Sequence, residues 1–149
     1  MIVVVILRMV SGGIFMVSGF LKVTHPYQNF VTVVESYNIV HGEAAILLAR
    51  TLPWAELVLG LFVVLGLWLR PSLFLLWTMN TVFIAALSSA LWRKLPLEDC
   101  GCFGGSIVLK PYQVLVMDIL LWGIFLALTL LHKKASKRSL DEYFESRLP

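Results

Sequence analysis

Glu56-Leu57-Val58-Leu59-Gly60-Leu61-Phe62-Val63-Val64-Leu65-Gly66-Leu67-Trp68-Leu69-Arg70 is a charge-to-charge run whose thirteen interior residues are all apolar or glycine. At about 1.5 Å of rise per residue the interior covers about 20 Å of helix, most of a hydrocarbon core about 30 Å thick. Extending the run back to Ala44 gives a full membrane span, 44–69, with Arg50 and Pro53 near its start. Pro53 removes one backbone donor and is expected to kink or restart the helix. Glu56 falls inside the hydrocarbon, about a third of the way in, where an ionisable group is costly and marks a functional candidate or a structural ion pair.

The rest of the chain repeats this pattern. Of 149 residues, 59% are hydrophobic and 14% charged, with a mean hydropathy of +0.87. That balance makes lipid the main solvent. The net charge of +3 is small and concentrated toward the C-terminus, which argues against nucleic acid as a partner. The first residues, Met1 to Leu7, lack a basic region and a small-residue cleavage site, so they read as a retained span over 2–23. Arg8 interrupts that span and is expected to snorkel to the nearer surface. Ser11 and Gly12, then Ser18 and Gly19, recur at heptad spacing and form a stripe where a second helix can approach closely.

Lys22 closes the first span before Thr24-His25-Pro26 breaks it. Over 26–43, Phe30, Val33, Val34 and Tyr37 recur at helical spacing and predict a short helix that lies on the membrane face or caps the bundle, flanked by His25 and His41. Arg70-Pro71 reads as a tight connection. A third span, 72–92, carries Thr78, Asn80, Thr81, Ser88 and Ser89 as expected interhelical hydrogen-bond partners. A fourth begins at Pro111, a fitting first helical residue, and ends near Leu131, with Asp118 two turns inside. The fold expected is therefore an all-α membrane protein, a four-transmembrane-helix bundle over 1–131 with a basic tail over 132–149. Ser139 and Glu142 suggest a capping box for a short helix in the tail.

The density of Lys and Arg in the tail places both termini in the cytoplasm, with the 26–43 segment and the loop after the third span outside, although Arg93, Lys94 and Lys110 pull the other way. That outer loop, Asp99-Cys100-Gly101-Cys102-Phe103-Gly104-Gly105, holds both cysteines of the chain. A bridge across one residue would be strained and exchangeable, and an oxidising compartment suits it. The pair is also consistent with half of a metal site completed by His25 or His41, or with an inert oxidised loop. Lys22, Glu56 and Asp118 come from three helices at similar outer depth, beneath the loop. They read as one cluster that either moves protons during thiol oxidation or pins the bundle.

Gly19-Phe20-Leu21-Lys22 before His25-Pro26, then Tyr37, Leu52-Pro53-Trp54-Ala55-Glu56-Leu57 with Gly60, Asp99-Cys100-Gly101-Cys102-Phe103-Gly104 and Asp118 resemble the MauE branch of the DoxX-like membrane proteins. The resemblance extends from the first span to the fourth and omits the basic tail beyond Lys133. It implies a four-helix protein of the bacterial inner membrane, associated in methylamine utilisation with maturation of a disulfide-rich dehydrogenase subunit beside a thioredoxin-like partner. Lys22, Glu56, Cys100, Cys102 and Asp118 match the family's polar motif positions.

The function expected is extracytoplasmic thiol–disulfide redox work or assisted maturation. Cys100 and Cys102 would exchange with a thioredoxin-like protein or a secreted disulfide-containing client, and Glu56, Asp118 and Lys22 would manage protons. A quinone is a candidate electron acceptor by analogy with other four-helix disulfide oxidants. Two other readings stand beside it: a non-catalytic accessory subunit of a larger membrane complex, and a DoxX-type subunit of a quinone-linked oxidoreductase.

Overall fold

A computed structural model describes residues 2–95 and 109–131 of the chain. In order, the elements are α1 (Ile2–Thr24), α2 (Tyr27–Ser36), α3 (Glu43–Leu65), α4 (Leu69–Trp92) and α5 (Pro111–Leu130). α1, α3, α4 and α5 are each long and apolar enough to cross a membrane, and α2 is the short helix expected between the first two spans. The protein is an all-α, multi-pass membrane protein. The tail and the Cys100–Cys102 loop lie outside the described residues.

The small-residue stripe of α1 is buried as expected, with Ser11, Gly12, Ser18 and Gly19 all turned inward. It meets α3 almost backbone to backbone. A methyl on Gly19 would stand 2.5 Å from the Leu57 nitrogen, and one on Gly60 would stand 2.6 Å from the Met16 nitrogen. Such contacts let dispersion hold two helices together where lipid supplies no hydrophobic drive. α3 continues as one helix through Pro53, which is buried.

α4 and α5 pack by side chains instead. Leu73 and Leu76 of α4 meet Leu121, Phe125 and Leu128 of α5 in one buried cluster, which also takes in Val63 of α3. Phe125 reaches across to Phe15 of α1 in an edge-on ring contact at 5.4 Å. α5 starts with Pro111 in its first turn, and the Gln113 side chain accepts a hydrogen bond from the Lys110 backbone at 3.2 Å.

Three sequence expectations need correction. The turn between the second and third spans falls at Gly66–Trp68, not at Arg70-Pro71. Gly66 takes φ +73, and the N–H groups of Gly66 and Leu67 both reach the Phe62 carbonyl, at 2.8 and 2.9 Å. That is a left-handed glycine stop. It hides in an apolar run because hydropathy does not register backbone geometry. Arg70 and Pro71 then sit in the first turn of α4, where a proline's missing N–H costs nothing.

Arg8 is 3% exposed and does not emerge at a surface; its α1 face is turned into the protein. Among the polar residues of α4, Thr78 bonds its own helix at the Phe74 carbonyl, and Ser88 and Ser89 are exposed. The links from α4 to α5 come from Asn80 and Thr81.

Candidate functional site

Lys22 and Glu56 form a buried ion pair between α1 and α3. The Lys22 Nζ donates to Glu56 Oε1 at 2.8 Å and to Oε2 at 2.7 Å. Side chains lean toward the N-terminus of their helix, and α1 and α3 run antiparallel. Lys22 therefore leans down from the end of α1, and Glu56 leans up to meet it. Ser18, one turn before Lys22, donates to Glu56 Oε2 at 3.0 Å. The Lys22 ammonium also lies 5.0 Å from the centre of the Phe30 ring on α2. Both carboxylate oxygens are thus engaged, as a charge pair taken out of water requires.

Asp118 lies on α5, also buried, and does not join that pair. Among the described residues its Oδ2 has no hydrogen-bond partner, and neither does the buried Oδ1 of Asn80 on α4. The two residues are linked otherwise: Asn80 Nδ2 donates to the Asp118 backbone carbonyl at 3.2 Å. Of the three ionisable residues expected to cluster, two meet directly, and the third lines the same cavity.

That cavity, of about 230 Å³, is lined by residues of all five helices, Ser18, Lys22, Glu56, Asn80 and Asp118 among them. The remainder of its wall is apolar, including Phe15, Phe30, Tyr37, Phe83 and Met117. α2 covers one side. Its predicted apolar face supplies Phe30 and Val34, with Tyr37 just beyond its end. Tyr27 of α2 lies against the Arg50 guanidinium of α3 at 4.5 Å, and Tyr37, just past α2, is edge-on to Phe83 of α4 at 6.3 Å.

A family model described as methylamine utilisation protein MauE matches residues 1–132. The chain belongs to the MauE family. No curated protein and no solved structure matches it.

Within this MauE-family chain, sequence reasoning missed several residues of the site. Ser18 read only as packing, yet its spacing of four from Lys22 places both on one face of α1, which was a usable signal. Asn80 was read as a helix-to-helix link without a partner. Arg93 counted only as a topological charge. It donates to the backbone carbonyls of Tyr37 and Asn38, tying the end of α4 to the connection after α2. Cys100 and Cys102 lie outside the described residues, and His25 and His41 are both exposed.

Proposed function

We propose that this chain is a thiol–disulfide redox or maturation factor of the inner membrane, with its Cys100–Cys102 loop outside and both termini in the cytoplasm. The observation that supports this most is the position of the cavity relative to the ends of α4 and α5 between which the loop runs in sequence. α4 ends at Trp92 and α5 begins at Pro111, so residues 93–110 join the two helices whose Asn80 and Asp118 line the cavity with Lys22 and Glu56. Asp118 is seven residues into α5, about 10 Å below its start. A carboxyl group there is within two turns of the chain that carries the cysteines.

In this reading a partner thiolate attacks one sulfur of the Cys100–Cys102 disulfide, breaking the bridge and forming a mixed disulfide. A second partner thiolate then displaces that sulfur. The partner leaves as a disulfide, and the chain is left as a dithiol that has gained two electrons and two protons. Transfer of both to a quinone or a soluble thioredoxin-like acceptor restores the bridge. Asp118 and the Lys22–Glu56 pair hold and release the protons.

Trapping a partner tests this. Cys102→Ser should accumulate a mixed disulfide on non-reducing gels: the Cys100 thiolate opens the disulfide of an oxidised partner, releasing one partner thiolate, and the chain has no second thiol to displace the adduct. Cys100→Ser should accumulate less, and both variants should lose function. Matching mild defects with no adduct would replace this reading with that of a non-catalytic accessory subunit. A reporter fused after Pro149 should be active only in the cytoplasm. An impermeant thiol reagent should label reduced Cys102 from outside, and labelling from the cytoplasmic side alone would overturn the orientation.

A further inference from the structure

We propose that the cavity is a binding site for a ring-sized, uncharged molecule that donates hydrogen bonds, of the phenol or hydroquinone class, taken up from the membrane. The inference does not rest on the thiol chemistry proposed above. It starts from two buried oxygens, Asn80 Oδ1 and Asp118 Oδ2, that accept no hydrogen bond among the described residues. Their residues are only 2% and 6% exposed, and both line the cavity. Burying an acceptor without a donor is costly, and native proteins rarely do it without a reason. The bond from Asn80 Nδ2 to the Asp118 backbone carbonyl holds the Asn80 side chain against α5 at the residue that carries the second open oxygen. The site therefore offers two buried acceptors to which no donor is matched among the described residues. Lys22 does not supply one: its ammonium is spent on both oxygens of Glu56 and faces the Phe30 ring.

Size and wall chemistry narrow the ligand. The volume of about 230 Å³ exceeds the roughly 150 Å³ that suffices for benzene in an apolar protein cavity. Four aromatic rings in the wall, Phe15, Phe30, Tyr37 and Phe83, suit a flat aromatic body. The route in decides the charge. Ile39 and Val82 are the exposed residues of the described wall, and Val82 lies within the apolar span α4. A molecule entering past Val82 comes through hydrocarbon, where an ammonium would shed its hydration at high cost and a phenol would not.

The test uses the full-length protein purified in detergent, with binding read as added mass by native mass spectrometry. A 4-alkylresorcinol, a stable diphenol, should bind one per chain. Its dimethoxy ether, bulkier by two methyl groups, and the matching alkylbenzene, no larger than the resorcinol and without donors, should both bind roughly tenfold weaker or worse, the loss expected for about one hydrogen bond at each of two buried acceptors. That comparison is made on the native chain and needs no variant. Asp118→Leu should weaken the resorcinol by a similar factor, and Ala86→Phe, which fills the cavity, should abolish binding. Replacing Cys100 and Cys102 by serine should leave binding unchanged, so loss of the thiol mechanism would not remove this site.

Equal binding of the resorcinol and either the ether or the alkylbenzene would overturn the proposal. So would undiminished binding by folded Asp118→Leu, or tighter binding of an alkylammonium of the same size. Absence of resorcinol binding to the native chain would mean that the cavity holds only water, and would overturn it as well.

Discussion

The α1–α3 half of the bundle and the α4–α5 half bury polar groups in opposite ways. Between α1 and α3 the backbones touch through Gly12, Gly19 and Gly60, and the charges are matched: Glu56 takes three hydrogen bonds from Lys22 and Ser18. Between α4 and α5 the helices stand apart on leucine and aromatic side chains, and Asn80 and Asp118 each keep an oxygen unmatched among the described residues. A charge pair that is satisfied within the protein holds two helices in register. Acceptors left open beside a cavity are available to something else. The first half holds the frame while lining the site, and the second supplies the open acceptors; both face the same space.

The seam between α1 and α3 is the place to break the frame. Gly19→Val should have the largest effect of any single substitution along it. Its side chain would collide with the backbone of Leu57 and Pro53, which cannot swing away as a side chain would. We expect a loss above about 4 kcal/mol, read as failure to recover folded, monodisperse protein. Gly13→Ala is the control: nothing lies within 4 Å of the added methyl, and yield should stay at the native level.

Lys22→Met should come next, with a loss of about 3–5 kcal/mol in unfolding from mixed micelles, because it strands the Glu56 carboxylate without a counter-ion. Glu56→Gln should cost less, since the amide keeps an acceptor for Lys22 and Ser18. The double variant Lys22→Met with Glu56→Leu should recover most of the loss, as buried ion pairs often tolerate joint apolar replacement. If the double variant is as unstable as Lys22→Met alone, the pair does more than satisfy itself.

On the other half the effects should be small. Thr81→Val removes the acceptor for the Trp122 indole N–H, a bond of 3.0 Å between α4 and α5. About 0.6 kcal/mol is expected, the usual worth of an interhelical bond in a membrane protein. Smallest of all, Asp118→Leu should leave the stability of the unliganded protein within about 0.5 kcal/mol of native, because the Oδ2 it removes has no partner to lose among the described residues. A loss comparable to that of Lys22→Met would place Asp118 in the frame and erase the contrast between the halves.

How much of this was legible beforehand depended on whether the signal was local. Four apolar spans and the amphipathic α2 follow from hydropathy and from Phe30, Val33, Val34 and Tyr37 recurring at helical period, and the helices formed where those signals lay. The heptad stripe of Ser11, Gly12, Ser18 and Gly19 announced a close helix contact, and its residues are buried. The resemblance to the family was legible chiefly in Pro53-Trp54 with Glu56 and in Cys100-Gly101-Cys102-Phe103-Gly104, with Lys22 and Asp118 beside them, and the family match spans 1–132. Depth was legible too, because a fixed rise per residue turns sequence position into height.

Height alone does not say which groups meet. Lys22, Glu56 and Asp118 were expected to form one cluster from similar depths, and only the packing decided that Lys22 takes Glu56 and leaves Asp118 beside Asn80. That choice depends on how each helix is rotated about its axis, which is set by where glycines on one helix admit the backbone of another. Arg8 illustrates the same limit, since its burial is decided by what α1 packs against. The Gly66 stop lay within a run that hydropathy reads as continuous. The sequence by itself determined the number of spans, their order and three of the buried charges, Lys22, Glu56 and Asp118, because those follow from the free energy of transfer into lipid, residue by residue. The tertiary structure decided which charges pair, which oxygens stay open and where the cavity lies, because these are properties of facing surfaces and no single helix carries them.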